Sequence, residues 1–261
     1  MTNKAISIKF GGSLITDKTQ PLTARPEAIN QICAEFAQLY HAHPEYCWFL
    51  GNGAGSFGHY MVHKTEWRQH PDNPLAIAQI RQATAQLNQL IVDQLLKHDV
   101  PALTLAPAAF SSYDNGQYDT TANTLLQFAK LRAVPVVYGD VVPTADGSAR
   151  IMSTEDALDE LAKQWQAAGN TVDRVIYCGS VDGVLDGNGA VMPTVSPNAV
   201  ADHIGEAEGF DVTGGMSQKV KAGFRALSYT DNVSIINGLV TGQLTNCLQG
   251  DEVGTKLCLD A

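Results

Sequence analysis

Residues 134–139 read Val-Pro-Val-Val-Tyr-Gly, a continuous run of mainly β-branched apolar side chains that ends at a glycine. A strand of this kind is buried on both faces, which is typical of a parallel sheet covered by helices on both sides. Similar apolar runs occupy 5–10 and 46–50, and helical periodicity fills segments between such runs. The alternation predicts an α/β protein, a three-layer αβα sandwich with a mainly parallel central sheet.

The remaining elements follow from the same two periodicities. Helices are predicted at 26–42, 75–97, 121–132, 156–167 and 215–228. Further strands are predicted at 101–105, 173–178, 233–236 and, as a final edge strand, 256–259. No repeat or low-complexity linker interrupts the pattern, so we expect a single domain over 1–261 with a soft division into 1–150 and 151–261.

Composition excludes several classes of function. The chain of 261 residues carries 17 Lys and Arg against 27 Asp and Glu, a formal net charge of −10. This balance disfavours a nucleic-acid partner, which needs a basic face. No run approaches the roughly 18–20 apolar residues of a membrane span, and residues 1–13 lack the apolar region of a signal peptide. The five cysteines are scattered without a C-x-x-C pair, so we expect a cytoplasmic location, free thiols and no metal site.

The first glycine motif follows the first predicted strand as Lys9-Phe10-Gly11-Gly12-Ser13. Two glycines let the backbone approach an anion, and their N–H groups can form a phosphate-binding nest. Lys9 adds a positive charge at the strand end, and Lys18 follows shortly after. The alternative is a plain Gly-Gly turn beside a solvated lysine.

The second motif, residues 51–59, reads Gly-Asn-Gly-Ala-Gly-Ser-Phe-Gly-His after the second predicted strand. Residues 53–58 match G-x-G-x-x-G, but a dinucleotide site needs that motif after the first strand and an acid about 20 residues later. A polar loop follows here instead. We therefore expect a loop whose backbone closely approaches a phosphate group, with His59 at its end placed to hydrogen-bond the anion.

Acidic residues follow two further predicted elements. Gly139 and Asp140 come at the end of a strand, where the carboxylate could orient a lysine, bind a substrate hydroxyl or belong to an ordinary turn. Residues 153–156, Ser-Thr-Glu-Asp, open a helix, and a hydroxyl there can act as N-cap. One carboxylate of this segment could instead orient active-site lysines.

The last motif is Thr-Gly-Gly at 213–215, at a predicted helix start. Free N–H groups and the positive end of the helix dipole favour an anion there. Lys219 lies about one turn in, whereas Lys221 is roughly 200° round the helix and should face elsewhere. The turn 181–186 is of moderate interest by itself. P-loop and protein-kinase signatures are missing from the sequence.

In order, the motifs 9–13, 53–59, 138–141, 181–184 and 211–219 resemble the amino acid kinase superfamily and, within it, the isopentenyl phosphate kinases. The resemblance implies the amino acid kinase fold and a phosphotransferase of isoprenoid biosynthesis. It would use ATP to phosphorylate isopentenyl phosphate to isopentenyl diphosphate. A fosfomycin-type or other small phosphate or phosphonate kinase is the first alternative. A non-catalytic nucleotide-binding protein of the same fold is the second.

The resemblance also assigns roles to residues. Catalytic cations are implied at Lys9, Lys18, His59 and Lys219. Nucleotide contacts are implied at Gly11, Gly12, Ser13, Asp182, Gly183, Val184, Thr213, Gly214, Gly215 and Lys219. Acceptor contacts are implied at Gly53, Ala54, Gly55, Ser56, Gly58, His59, Gly139 and Asp140.

The same resemblance implies magnesium arriving with the nucleotide, no carboxylate cluster dedicated to a metal, and a homodimer. It makes 1–150 the phosphate-acceptor lobe and 151–261 the nucleotide lobe. Relatives often carry Ser-Gly-Asp-Asp where this chain has 153–156, which leaves the lysine-orienting carboxylate open between Glu155 and Asp156. A prenyl tail would need an apolar pocket. The helix 75–97 offers candidates, most of them better explained as core: Ile80, Ala83, Leu87 and Ile91.

Overall fold

The computed structural model describes residues 3–199 and 214–260. The strands in chain order are β1 (Lys4–Phe10), β2 (Tyr46–Asn52), β3 (Ala102–Leu105), β4 (Ser111–Asp114), β5 (Gln117–Thr120), β6 (Val134–Tyr138), β7 (Asp140–Pro143), β8 (Ala149–Met152), β9 (Thr171–Gly179), β10 (Thr194–Val195), β11 (Val233–Asn237) and β12 (Thr255–Leu257). The helices with described bounds are α1 (Gly12–Ile15), α2 (Pro26–Ala42), α3 (Gly55–Lys64), α4 (Pro74–Lys97), α5 (Asn123–Lys130), α6 (Thr154–Ala167), α7 (Gly214–Ala226) and α8 (Gln243–Gln249).

One eight-stranded sheet runs through the chain in the order β10-β12-β11-β9-β1-β2-β6-β3. Within the described residues, its pairs are parallel except β11 with β12. The hairpins β4–β5 and β7–β8 stand outside this sheet. The predicted α/β class and mainly parallel sheet are confirmed, and strands from both halves of the chain share the sheet.

Side chains of β1 alternate between two cores. Ile6, Ile8 and Phe10 pack into a core with α2 and α4, whereas Ala5 faces a second core with α6 and α7. This follows from the two-residue period of a strand. The alternation produces the three layers and directs Lys9 toward the α6 and α7 layer, not the α2 and α4 layer.

The strands end together at one edge of the sheet. In the registers, Phe10 pairs with both Asn52 and Cys178, and Asn52 pairs with Tyr138. The glycine motifs therefore leave the sheet side by side. In open α/β sheets, ligands bind beyond the carboxyl ends of the strands.

One predicted element is misplaced, and several elements of the structure were not predicted: strand β10, the two hairpins, and helices α1, α3 and α8. The segment predicted as an edge strand, 256–259, is β12, which lies between β11 and β10, so the edge is the two-residue strand β10. A strand this short carries no apolar pattern that a sequence could reveal. The hairpins β4–β5 and β7–β8 are missed for the same reason, since each strand has four residues.

No helix in the described ranges combines the length and apolar character that crossing a membrane requires. None of the five cysteines, all of which lie in the described ranges, forms a disulfide, and Cys33, Cys47, Cys178 and Cys247 are buried.

Trp165 should be a large contributor to stability. It is fully buried on α6, its ring lies 5.5 Å from that of Phe49, and its Nε1 donates to Thr171 O at 3.1 Å. We expect Trp165→Ala to lower the free energy of unfolding by about 3–5 kcal/mol, because truncation leaves a cavity. Urea unfolding measures the change. Leu131→Ala, at a residue that is 76% exposed, is the control and should shift it by less than about 0.5 kcal/mol. A loss below about 1 kcal/mol for Trp165→Ala would contradict this assignment.

Candidate functional site

A cavity of about 210 Å³ opens at the carboxyl ends of β1, β2 and β6. Residues from both halves of the chain line it. Most of the residues singled out in the sequence are among them: Lys9, Gly11, Gly12, Ser13, Lys18, Gly53, Ala54, Gly55, Gly58, His59, Gly139, Asp140, Gly215 and Lys219.

The centre of the cavity is an ion pair between Lys9 on β1 and Glu155 in the first turn of α6. Both residues are buried, at 7% and 5% exposure. Burial alone would raise the pKa of Glu155, but the charge of Lys9 and its hydrogen bond hold that pKa below its ordinary value. Lys9 therefore faces an ionised carboxylate at neutral pH.

This pair settles which carboxylate of 153–156 meets a lysine. Glu155 contacts Lys9, whereas Asp156 completes a capping box with Ser153. The Ser153 hydroxyl accepts from Asp156 N at 3.0 Å, and Asp156 Oδ2 accepts from Ser153 N at 3.4 Å. Capping explains the serine and the aspartate of the segment, and the lysine contact explains the glutamate.

Lys219 reaches the same centre from α7 and is 7% exposed. Burial and the positive charge of Lys9 lower its pKa from 10.5 to about 8, although Glu155 acts in the opposite direction. Gly179 leaves room for this side chain, since a Cβ there would lie 3.2 Å from Lys219 Nζ. The described ion pairs do not include Lys219. Its positive charge is therefore available to pair with a bound anion.

The first two glycine motifs touch backbone to backbone. A Cβ on Gly12 would lie 2.6 Å from Gly55 Cα, and one on Gly53 would lie 2.6 Å from Gly12 N. Gly53 N also donates to Phe10 O at 2.8 Å. Side chains at these glycines would separate the two segments. The motifs therefore form one continuous backbone surface along the cavity.

The second glycine motif is a helix start, which corrects the predicted loop. Gly55 begins α3, and its φ of +50° is one that glycine adopts easily. Ala54 precedes it and supplies no side-chain cap. Because Ala54 and Gly55 both line the cavity, the N-terminus of this ten-residue helix lies there. Such an end attracts anions. His59 stands one turn into α3, not at the end of a loop.

His59 lies on the exposed side of the cavity. Partial burial and the positive charges of Lys18, Arg68 and Lys9 lower its pKa below 6.5. The imidazole is therefore neutral at pH 7 in the ligand-free protein, and an arriving anion would raise its pKa.

Ser56 is not among the residues that line the cavity, and its expected acceptor contact stays a prediction. Its hydroxyl accepts from Thr23 N and donates to Thr23 O, both at 3.2 Å. Its backbone N–H donates to Thr16 Oγ1 at 3.0 Å. Ser56 ties α3 to the loop after α1.

Asp140 lines the cavity but orients no lysine. Its buried carboxylate accepts from Arg81 Nε at 3.0 Å, from Ala108 N at 3.1 Å and from Val141 N at 2.8 Å. The sequence offered a lysine, a substrate hydroxyl or a turn. The structure shows an arginine and two backbone partners, and Gly139 lines the cavity beside them.

Lys18 is exposed and reaches across the cavity mouth toward α7. Its Nζ would lie 3.8 Å from a Cβ on Gly215. Sequence reasoning missed Arg68, which also lines the cavity. Arg68 follows Trp67, which is buried in the structure. A tryptophan within an otherwise polar segment was the sequence signal that could have indicated a packed position beside Arg68.

The turn after β9 lies outside this cavity. Asp182 accepts from Asn237 Nδ2 at 2.7 Å, and Val184 N donates to Thr255 Oγ1 at 2.8 Å. A Cβ on Gly183 would lie 2.6 Å from Thr255 Oγ1. Thr213 lies outside the described residues, and Gly214 begins α7. The nucleotide roles of these residues stay predictions.

Four apolar lining residues belong to one core or pack against it, and we refer to them as the apolar end of the cavity: Val62, Ile80, Val141 and Ile151. Thr84, one turn after Ile80 on α4, also lines the cavity. Among the predicted tail-pocket candidates, the remaining three are buried in the core: Ala83, Leu87 and Ile91.

In the ranges 3–199 and 214–260, no three His, Cys, Asp or Glu side chains group to hold a metal ion. The two lining carboxylates are engaged, Glu155 by Lys9 and Asp140 by Arg81. The donor set described here does not fit a protein-held cation.

The profile of the amino acid kinase family matches residues 4–237. The isopentenyl phosphate kinase of Haloferax volcanii is 30% identical over 83% of this chain and 86% of its own. That of Methanocaldococcus jannaschii is 26% identical over 96% and 97%. A crystal structure of an isopentenyl phosphate kinase substrate complex superposes with a TM-score of 0.76 at 21% identity, covering 97% of this chain and 99% of the other. At that identity the superposition shows a shared fold.

Lys219 should weaken the folded state. A pKa lowered from 10.5 to about 8 corresponds to a cost of about 3 kcal/mol. The unfolded chain keeps the ordinary pKa, so the cost is fully present below pH 8 and disappears as pH rises toward 10.5. We expect Lys219→Met to raise the free energy of unfolding by about 1–3 kcal/mol at pH 6.5 and to have little effect near pH 10.5.

Urea unfolding at both pH values measures this difference. Lys221→Met is the matched control, because Lys221 is exposed on the same helix and should change stability little at either pH. If the Lys219→Met protein is less stable than the wild type at pH 6.5, the buried charge of Lys219 does not destabilise the folded state.

Proposed function

The chain belongs to the amino acid kinase family, and on that premise we propose that it transfers the γ-phosphoryl group of ATP to isopentenyl phosphate. The products are isopentenyl diphosphate and ADP. One observation carries the proposal: buried lysines and an anion-attracting helix N-terminus face each other in a cavity with an apolar end. The chain is a phosphotransferase.

The acceptor in this reaction is itself a phosphate. A phosphate monoester has a second pKa of about 6, so it is largely dianionic at neutral pH. It needs no general base to attack. Catalysis then depends on alignment and on neutralising charge as two anions approach.

The acceptor phosphate binds at the start of α3. The backbone N–H groups of Ala54 and Gly55 and the helix dipole attract it, and His59 donates a hydrogen bond one turn further in. Binding of the dianion raises the pKa of His59 and strengthens that bond.

The donor phosphates bind among the lysines. Lys9 is buried near the end of β1 and Lys219 is buried in the second turn of α7, and Lys18 closes over them from the exposed side. Glu155 holds Lys9 in place, while Lys219 is free to pair with the transferring phosphoryl group. Low exposure strengthens the interactions of Lys9 and Lys219 with phosphate, because little water screens these two buried charges.

Further donor contacts extend the proposal. They come from the glycine motif after β1, the turn after β9 and the start of α7: Gly11, Gly12, Ser13, Asp182, Gly183, Val184, Thr213, Gly214 and Gly215. The proposed division into an acceptor lobe, 1–150, and a nucleotide lobe, 151–261, then has one exception, because the glycine motif after β1 in the first lobe contacts the donor.

The prenyl tail occupies the apolar end, formed by Val62, Ile80, Val141 and Ile151. An apolar pocket discriminates weakly, by about 1–3 kcal/mol per methylene, so dimethylallyl phosphate should also be accepted. A small polar acceptor such as fosfomycin would leave this apolar lining without a partner. That contrast favours the prenyl substrate.

Magnesium enters the proposal only as the ion bound to ATP. The carboxylates that line the cavity are engaged by Lys9 and Arg81, so the magnesium ion takes its ligands from phosphate oxygens and water.

A homodimer is proposed from the family resemblance alone. A cytoplasmic location is supported by five cysteines without a disulfide.

His59→Ala should lower kcat/KM for isopentenyl phosphate by about 10- to 100-fold, because a charge-assisted hydrogen bond contributes about 1.5–3 kcal/mol. The KM for ATP should change little. Steady-state kinetics with each substrate varied in turn measures both. His63→Ala is the matched control, since His63 is exposed one turn later on α3 and does not line the cavity. Equal effects of the two substitutions on kcat/KM would contradict the proposed hydrogen bond between His59 and the acceptor phosphate.

The function itself is tested by ADP release from ATP with magnesium. Isopentenyl phosphate, dimethylallyl phosphate, fosfomycin and UMP are offered in parallel. We expect turnover on both prenyl phosphates. Turnover on fosfomycin or UMP alone would overturn the proposed acceptor, and a protein that binds ATP without turning over any of the four would overturn the proposed reaction.

A further inference from the structure

Two neighbouring helices each bring one charged side chain to the cavity. Glu155 comes from α6 and Lys219 from α7. The distance between the helices therefore sets the distance between the Lys9–Glu155 pair and the second buried cation. Lys9 and Lys219 carry like charges, and the repulsion by Lys9 exceeds the attraction by Glu155, so electrostatics favours separation of α7 from β1.

Arg225 opposes that separation from the last turn of α7. Its Nε donates to Asp159 Oδ2 at 3.1 Å, and its Nη2 donates to Asp156 Oδ1 at 2.8 Å. The two carboxylates are three residues apart and so lie on one face of α6. Of the ion pairs in the described ranges, only these two link α6 to α7.

Both carboxylates are held by further donors. Tyr229 OH donates to Asp159 Oδ1 at 2.7 Å, and Tyr118 OH donates to Asp156 Oδ2 at 3.2 Å. Asp159 is buried, and Asp156 is also fixed by the capping box of α6. Arg225 thus donates to two carboxylates that other donors hold in place. One of them, Asp156, directly follows Glu155, which pairs with Lys9.

We propose that Arg225 is a positioning residue for phosphoryl transfer: by bridging Asp156 and Asp159 it holds α7, and with it Lys219, against the Lys9–Glu155 pair. Arg225 lies six residues from Lys219, about 9 Å along the helix, so it acts through the helix and not by contact with substrate. The consequence for catalysis rests on the proposed function. The placement of Lys219 does not.

Removal of the bridge should leave α7 folded. Its apolar face packs independently into the second core through Val220, Ala222 and Ala226. What changes is the freedom of α7 to move outward. Lys219 would then gain water and distance from Lys9, and both changes raise its pKa toward 10.5.

The first test follows the titration of Lys219 directly. The rate of its modification by an amine-reactive reagent is measured against pH by peptide mass spectrometry in the wild type, Arg225→Met and Asp159→Asn. The groups that face Lys219 are Lys9, Glu155, Lys18 and Cys178, and all are retained. We expect a midpoint near 8 in the wild type and a midpoint at least about one unit higher in both variants.

The pair of variants separates positioning from direct electrostatics. Loss of the positive charge of Arg225 alone would raise the pKa of Lys219, whereas loss of the negative charge of Asp159 alone would lower it. Movement of α7 raises it in both. A midpoint that falls or stays unchanged in folded Asp159→Asn overturns the proposal, and Asp159→Asn decides the question by itself if Arg225→Met does not fold.

The control is Lys163→Met. Lys163 pairs with Glu160 at 2.6 Å on α6 itself and makes no bridge to α7, so its loss should leave the Lys219 midpoint near 8. An equal shift in this control would show a general loosening of α6 and would also overturn the proposal.

Kinetics supplies the second readout. Arg225→Met should lower kcat about tenfold and leave the KM for isopentenyl phosphate unchanged, because the acceptor contacts lie on α3. A folded variant with wild-type kcat overturns the catalytic role. If the wild type itself does not phosphorylate isopentenyl phosphate, the proposed function fails, while the Lys219 midpoints still decide whether Arg225 positions that lysine.

Discussion

The structure depends on one buried ion pair, Lys9 with Glu155. Breaking such a pair by removal of one partner costs about 3–5 kcal/mol, because the remaining charge stays buried without compensation. Strand β1 lies in the middle of the sheet and α6 covers it, so this pair joins the central strand to a covering helix. Lys219 adds a second cation that the pair does not neutralise. The result is a centre with net positive charge, in a place where water cannot screen it.

Glycine provides the second constraint. The turn after β1 and the start of α3 pack with a Gly12 Cα and a Gly53 Cα facing each other's backbone, and neither position has room for a Cβ. Close packing brings two sets of backbone N–H groups onto one surface. In the proposed reaction the lysines would meet the donor phosphates, and the start of α3 with His59 would meet the acceptor phosphate, so strand and helix geometry would align the reacting groups.

Local patterns predicted much of this arrangement. The apolar run 134–139 and its neighbours indicated the parallel sheet, and most helices lie within a few residues of their predicted bounds. The glycine motifs pointed to the cavity, because glycines after buried strands indicate close approach of backbone. The patterns did not distinguish a helix start from a loop at Gly55, and they placed Ser56 at the cavity although its hydroxyl bonds to Thr23. The first of these differences concerns backbone conformation and the second concerns side-chain direction, and a motif encodes neither.

The sequence by itself determined the fold class, which follows from periodicity, and it predicted that the glycine motifs and the lysines bind anions, which follows from residue chemistry. Only the tertiary structure decided which carboxylate meets Lys9. Glu155 and Asp156 are adjacent, and the helical turn of about 100° per residue sends one inward to β1 and the other outward to Arg225. It also decided that Arg68 lines the cavity and that Arg81 pairs with Asp140 at its wall, because both residues are distant in sequence from the motifs. Charge and spacing are local properties, whereas proximity depends on how the layers pack.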